Sequence, residues 1–457
     1  MESTPSIRRV LVANRGEIAV RIIRACFDEG IESVLACSAA DVDTLPARLA
    51  DEIVVIGPAS ATESYLDIPR VVQAALNAQC QALHPGYGFL SERPELVDAC
   101  EENGITYIGP PADIMRRAGS KLGARAVADE LGIPTGAGSD GLTDADAAVA
   151  AARRLGFPLL LKASAGGGGR GMTILRSEED VADGYIRSST EADRAFGDGT
   201  VYLEPYVEHA RHVEVQILAD SHGNVCHLGE RDCSTQRRYQ KVIEEAPAAG
   251  LPEELITKIR EAAVRLCRGL GYIGAGTVEF LVDAVSHRFI FLEVNARVQV
   301  EHPISEEVTG IDIVREQLRV ANGLPLSFAQ DEVAVEGHSL ECRLNAERAR
   351  ADFAPTPGVI TEWTIPQGKG IRVDTFCEAG AEISPYYDSL LAKVIVHAPT
   401  RPEAIDLMVR VLDKIRIEGV ATTSDIHQAI LSHPDFRRGP VTTKWLEDVF
   451  LPEWQPS

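Results

Sequence analysis

The chain has 457 residues, a length that points to about three domains rather than one compact core. Its formal charge of −23 argues against a broad nucleic-acid or anionic-membrane surface, because phosphate backbones are held by basic patches. No apolar run is long enough to span a bilayer, and the start Met1-Glu2-Ser3-Thr4-Pro5 lacks a signal-peptide pattern. The nine cysteines include no C-x-x-C pair, so the expectation is a cytoplasmic protein with reduced, mostly buried thiols and neither disulfides nor zinc.

Residues 8–14 read as a buried strand, followed at Gly16 by a helix with apolar positions at Ile18, Ile22, Ala25 and Cys26. Strands at Ile31–Cys37, Glu52–Ile56, Ala82–Leu83 and Thr106–Ile108 alternate with helical stretches, the pattern of a parallel α/β sheet covered on both faces. Gly109-Pro110-Pro111 closes this region. A helix around Lys121–Leu131 and an alanine-rich helix at Asp144–Leu155 follow. The strand Pro158–Lys162, the glycine loop 166–171 and the strand Met172–Leu175 then form a hairpin flap. Strands at Val201–Glu204 and His212–Leu218 and a helix at Pro252–Leu270 precede a hairpin carrying Glu279 and Glu293, so the sheet turns mostly antiparallel and the class becomes α+β. Beyond Glu336, strands at His338–Asn345 and Gly358–Ile365 lead to helices at Pro402–Lys414 and Asp425–Leu431.

The glycine loop contains Gly166-x-Gly168-x-x-Gly171, formally a dinucleotide fingerprint, but a strand rather than a helix follows it. No Lys-Ser/Thr follows the last glycine either, so it is not a Walker loop. What remains is a flap whose backbone N–H groups can close over phosphates, with Lys162 adding charge. A hairpin centred on Ser286 sets Glu279 and Glu293 directly opposite each other. Two carboxylates so placed repel unless a cation sits between them, and with Asn295 on the same face the oxygen ligands favour a hard ion such as Mg²⁺.

From Glu293 to Glu301 every polar side chain falls on one face of an extended segment, and Val294, Ala296, Val298 and Val300 fall on the other. The pattern predicts one active-site strand, with Arg297 holding a small planar anion and Glu301 beside it taking a proton. Glu230–Glu245, cation-rich and without periodicity, reads as an ordered loop facing an anion, with Lys241 as the main contact. Its local cations are Arg231, Arg237, Arg238 and Lys241; a second concentration lies at Lys162 and Arg170. Cys233 has no histidine fixed beside it and reads as a structural thiol.

Ala13-Asn-Arg-Gly-Glu-Ile-Ala19, His84-Pro-Gly-Tyr-Gly-Phe-Leu-Ser-Glu92, Lys162 to Met172, Glu230 to Pro247 and Glu293 to Pro303 together resemble the biotin carboxylase family of ATP-grasp enzymes, over about residues 7–448. The resemblance implies an N-terminal Rossmann-like parallel α/β domain over 1–115, an ATP-grasp core over 116–335 with a mobile lid at about 135–205, and a biotin carboxylase C-terminal domain over 336–457. It implies ATP-dependent carboxylation of biotin by bicarbonate through carboxyphosphate, the first half-reaction of a biotin-dependent carboxylase such as an acyl-CoA carboxylase.

By the same resemblance ATP would be contacted by Lys121, Lys162, Gly166, Gly167, Gly168, Gly169, Met172, Glu204, Pro205, Tyr206, Val207, His212, Gln236, Tyr239 and Leu281, with Glu279 and Glu293 at its phosphates. Glu279, Glu293 and Asn295 would hold two Mg²⁺ or Mn²⁺ ions. Lys241, Arg297, Gln299 and Val300 would bind bicarbonate, Glu301 would be its base, and Arg343 would stabilise the enolate of biotin with Tyr87 nearby. Tyr239 stands where many relatives have histidine, Pro205 where some have lysine, and Ala165 where the loop has glycine.

None of the methionines at 1, 115, 172 and 408 precedes a lysine, so the Met-Lys-Met biotin acceptor is missing and biotin is expected on a separate carrier protein or domain. A carboxyltransferase partner and a homodimer are implied by the family. Other readings are an ATP-grasp ligase of carbamoyl-phosphate or purine type, a nicotinamide-dependent oxidoreductase resting on the glycine match alone, and a non-catalytic nucleotide-binding regulator.

Overall fold

The computed structural model describes residues 7–136, 138–163 and 172–454. The predicted contacts Gly166, Gly167, Gly168 and Gly169, together with Arg170, lie outside the described residues, as does the side chain of Lys121.

The amino-terminal strands β1 (Arg9–Val12), β2 (Glu32–Ser38), β3 (Glu52–Gly57), β4 (Ala82–His84) and β5 (Thr106–Tyr107) form a parallel sheet in the order β3-β2-β1-β4-β5. The continuous apolar runs of β1, β2 and β4 follow from burial on both faces, whereas the edge strand β3 leaves Ile53 and Val55 exposed. Leu11, Val34 and Leu83 enter one core cluster, whereas Val10, Val12, Leu35 and Ala82 enter another. The helix Gly16–Asp28 covers the second face through Ile18, Ile22, Ala25 and Cys26, as its spacing predicts.

The flap region forms its own three-stranded antiparallel sheet from β6 (Leu159–Ala163), β7 (Met172–Leu175) and β8 (Val201–Pro205), with β6 in the middle. The helix Ala145–Leu155 packs on it. That helix starts where the Asp144 carboxylate accepts from Ala147 N at 2.8 Å, satisfying one of the free N–H groups of the first turn.

Apart from three two-stranded pairs in the C-terminal region, the remaining strands build one fully antiparallel sheet of eight. It runs β13 (Phe289–Asn295), β12 (Gly274–Asp283), β9 (Ala210–Ala219), β10 (Val225–Arg237), β11 (Gln240–Ala246), β14 (His338–Asn345), then the strands Leu390–Ala398 and Ile371–Thr375. The pairing Ile243↔Cys342 carries this sheet across residue 336 without a break.

Three expectations change here. Glu230–Glu245 is not a loop but the arms of the β10–β11 hairpin, whose turn places Arg238 and Tyr239 at positive φ of 48° and 64°. The polar composition hid the strands because their side chains are buried against one another rather than in solvent. The segment Glu293–Glu301 also stops being a strand after Asn295, and continues as irregular chain into the helix His302–Thr309. Its alternation survives: Val294, Ala296 and Val298 stay buried in the core while the polar side chains share the opposite side. In the C-terminal region the predicted strand Gly358–Ile365 divides into Gly358–Val359 and Glu362–Thr364, which pair with different partners.

Candidate active site

Sheet register sets the first carboxylates. Glu279 on β12 faces Glu293 on β13 as a direct Cα pair, with Thr277 opposite Asn295. Nearer the turn the register shifts, so Phe280 pairs with Phe291. On its other side Glu279 faces Glu214 of β9. Acidic side chains thus stand side by side on one sheet face, and like charges this close require cations.

Lys241 supplies one. Its Nζ lies 2.5 Å from Glu214, 3.2 Å from Glu279 and 2.5 Å from Glu301. Burial alone would lower its pKa, but Glu214, Glu279 and Glu301 outweigh that and hold it well above the usual lysine range. His212 Nε2 sits 3.1 Å from Glu279 and 3.4 Å from Glu214. Burial disfavours its charge, yet these carboxylates raise it to about 9, so it carries a proton at neutral pH. Its Nδ1 meets Gln236 Nε2 at 3.0 Å. Glu279 in turn is held far below the usual carboxylate range, because Lys241 and His212 overcome the cost of its burial.

Arg231 anchors the group from inside. It is wholly buried and donates to Glu214 at 2.7 Å, Gln216 at 2.6 Å, Ser305 at 3.0 Å and Thr277 at 3.1 Å. It therefore cannot be a ligand contact, contrary to the sequence reading. Arg237 and Arg238 are likewise spent on Asp352. Of the four cations in that segment, Arg231 and Lys241 reach the carboxylates, and of these two only Lys241 also meets Glu279 and Glu301.

Glu301, fully buried, lies between Lys241 at 2.5 Å and Arg343 at 3.0 Å. Burial would raise its pKa, but Lys241 and Arg343 keep it below the usual value despite the neighbouring Glu214. It is an ionised carboxylate at neutral pH. Arg297 does not pair with it, although the sequence set the two side by side. Arg297 donates instead to Glu92 at 3.0 Å, Gln299 at 2.6 Å and Asn295 at 3.2 Å, because the chain leaves the strand between them. Gln299 passes the network on to Glu279 at 3.3 Å. The Val300 carbonyl accepts from the buried Lys393 at 2.9 Å, and the Tyr87 hydroxyl donates to Glu17. Glu92, Glu214, Glu244 and Lys393 are partners the sequence reading missed. The Glu92-containing motif and the like-charge row Glu244-Glu245 were the available signals.

The predicted nucleotide contacts fall in four places. Lys162 on β6 donates to Glu204 on β8 at 2.5 Å, with Met172 opposite Lys162 across the flap hairpin. Pro205, Tyr206 and Val207 line a cleft of about 650 Å³ that also contains Leu281 and Ile290. His212 and Gln236 stand at the carboxylate cluster. Tyr239, 53% exposed at the hairpin tip, lies under Lys444 Nζ, 5.2 Å from the ring centre.

Residues 6–115 match the family described as the biotin carboxylase N-terminal domain, 120–329 the carbamoyl-phosphate synthase L chain ATP-binding domain, and 341–448 the biotin carboxylase C-terminal domain. Over 442 residues the chain is 47% identical to biotin carboxylase 1 of Bacillus subtilis, covering 96% of this chain and 98% of the relative. The chain belongs to the biotin carboxylase family of ATP-grasp enzymes.

Among solved structures, a Campylobacter jejuni biotin carboxylase–β,γ-ATP complex is similar at 44% identity, with a TM-score of 0.91 and coverage of 96% of this chain and 98% of that one. A biotin carboxylase domain dimer of Hydrogenobacter thermophilus 2-oxoglutarate carboxylase gives 44% identity, a TM-score of 0.90 and coverage of 98% of both chains. The donor set suits the divalent ions of a biotin carboxylase, since Glu279 and Glu293 offer oxygens from adjacent strands of one face. Asn295 at present gives its nitrogen to Glu279 at 2.8 Å and its oxygen to Arg297 at 3.2 Å. Rotation of the amide exchanges the two atoms. All nine cysteines are free and buried, and no helix among the described residues is long and apolar enough to cross a membrane.

Proposed function

We propose that this enzyme carboxylates biotin, presented on a separate carrier protein or domain, using ATP and bicarbonate through carboxyphosphate. The observation that carries the reading is Glu301, an ionised and fully buried carboxylate held between Lys241 and Arg343. A base so placed can take a proton from an anionic substrate only if cations beside it bind the anion. Lys241, Arg297, Gln299 and the Val300 backbone are the groups proposed to hold bicarbonate, which offers these cations the charge now supplied by Glu92, Glu279 and Glu301.

Glu301 then removes the bicarbonate proton, and the resulting oxyanion attacks the γ-phosphate of ATP. Breakdown of carboxyphosphate gives CO₂ and a phosphate able to remove the ureido proton of biotin, whose enolate faces Arg343 with Tyr87 nearby. Glu279, Glu293 and Asn295 would hold the two Mg²⁺ or Mn²⁺ ions; when bound, these offset charge on the transferred phosphoryl group. Lys162, Glu204, the backbone of Pro205–Val207, Leu281, His212 and Gln236 are proposed to bind the nucleotide.

The Hydrogenobacter thermophilus relative was solved with MgADP, ADP and bicarbonate, which supports this substrate set. The chain is also similar to Rhizobium etli pyruvate carboxylase, of which it covers 41%. Purified enzyme should hydrolyse ATP only with bicarbonate, and free biotin should stimulate it. Absence of biotin stimulation at any concentration, with turnover on an amine acceptor instead, would replace this reading with that of a carbamoyl-phosphate type ligase.

A further inference from the structure

Glu244 and Glu341 stand directly opposite each other as Cα partners in β11 and β14. Cross-strand partners project to the same face, with Cβ atoms about 5 Å apart. Both side chains are fully buried. Glu244 Oε1 accepts from Arg343 Nε at 2.6 Å, but Glu244 Oε2 and both carboxyl oxygens of Glu341 have no hydrogen-bond partner among the described residues. Two buried carboxylates at this spacing repel, and an ionised group with no donor keeps the whole cost of its desolvation. One proton on the pair removes the repulsion and the buried second charge, and a Glu341 O–H projects to the same face as the donor-less Glu244 Oε2.

The charged groups facing the pair do not change this conclusion. Arg343 on β14, Lys241 on β11 and Lys393 on Leu390–Ala398 act against Glu301 at the head of the helix His302–Thr309. Burial, opposed by Arg343 and helped by Glu301, moves Glu244 up to about 7, and burial moves Glu341 further up than Lys393 can offset.

We propose that Glu244 and Glu341 share a proton at neutral pH and together form the positioning pair for Arg343. Arg343 follows Glu341 by two residues and so lies on the same face of β14. An ionised Glu341 would draw the guanidinium back along the strand. A neutral one leaves Arg343 Nη2 bridging Glu244 at 2.5 Å and Glu301 at 3.0 Å. The guanidinium is then fixed beside the base. The catalytic consequence rests on the role proposed above for Arg343, whereas the shared proton does not.

Infrared spectra of the substrate-free enzyme test the proton directly. At neutral pH they should show the carbonyl band of a protonated carboxylic acid, lost on alkaline titration and missing from Glu341→Gln. Glu244→Gln serves as the second variant if the first fails to fold. Absence of the band at neutral pH, or an identical band in the variants, overturns the shared proton. The KM for free biotin should rise several-fold in alkali for the native enzyme and stay level for Glu341→Gln, whose amide is neutral throughout. An equal rise in both overturns the link to Arg343. Should biotin fail to stimulate at all, the band still decides the proton, so the two failures remain distinct.

Discussion

The parallel amino-terminal sheet buries apolar side chains on both faces of β1 and β2, whereas the antiparallel sheet beside it buries apolar side chains such as Val213, Val215 and Ile217 on one face and charged ones on the other. In the first, β1 and β2 hide Val10, Leu11, Val12, Val34, Leu35 and Cys37. In the second, β9 to β11 hide Glu214, Gln216, Glu230, Arg231, Gln236 and Glu244 at comparable burial. Apolar burial stabilises roughly in proportion to area and demands no partner. Buried charge stabilises only while its network is complete, so the second sheet gives up stability for fixed electrostatics at a site.

Breaking the charged network should have the largest effect on stability. Arg231→Met removes the buried cation that Glu214 meets at 2.6 Å, and is expected to cost about 3–5 kcal/mol in urea unfolding. The double variant Arg231→Met with Glu214→Leu should regain much of that stability but not the bicarbonate-dependent ATPase. Recovery of both would show that the network serves packing alone. In the apolar sheet, Leu11→Ala should cost about 2–5 kcal/mol by opening a cavity, yet leave kcat per folded molecule unchanged. A matching fall in kcat would erase the distinction between the two regions.

Acid should act on scattered buried groups. Burial holds His84 down to about 3, and His227 and His427 down to about 4, from an ordinary 6.5. The unfolded chain takes up these protons first, so their contribution is full above pH 6.5 and is lost as pH falls toward 4 and then 3. Burial would raise Glu245, but His338 and Arg401 hold it at about 2, adding stability that is present above pH 4.5 and lost toward pH 2. Urea midpoints should therefore fall steadily below pH 6.5; a flat profile to pH 4 would contradict the buried neutral histidines. The smallest effect belongs to the surface. Arg153→Ala, which breaks an exposed pair with Glu178, should leave both the melting curve and turnover unchanged.

The same contrast explains what could be read from sequence. Apolar runs such as Arg9–Val12 and Glu32–Ser38 announce strands, and the Glu279↔Glu293 pairing agrees with a hairpin centred on Ser286. The turn itself, however, pairs Val282 with Phe289, and it is the register shift past Phe280 that brings the two glutamates opposite each other. The polar arms Val225–Arg237 and Gln240–Ala246 announce nothing, because hydrophobic periodicity vanishes where buried partners are charged. For the same reason Arg231 looked like a ligand cation. Lys241 reads as an anion contact and Arg343 enters only through the family resemblance, but no pattern of residues pairs either with Glu301. Lys241 and Arg343 reach it from strands 60 and 42 residues away, by a sheet register that no local pattern encodes. The alternation after Asn295 was correct in facing but not in backbone form. The chain must turn there into the helix His302–Thr309, which places Glu301 under Arg343 rather than beside Arg297.

The central claim is that Glu301 is the base for bicarbonate. Glu301→Gln keeps the shape and loses the base, so bicarbonate-dependent ATP hydrolysis should fall by about 10²–10⁴-fold while nucleotide affinity, measured by calorimetry, stays at the native value. Retained turnover in that variant, or loss of nucleotide binding together with turnover, would contradict the assignment.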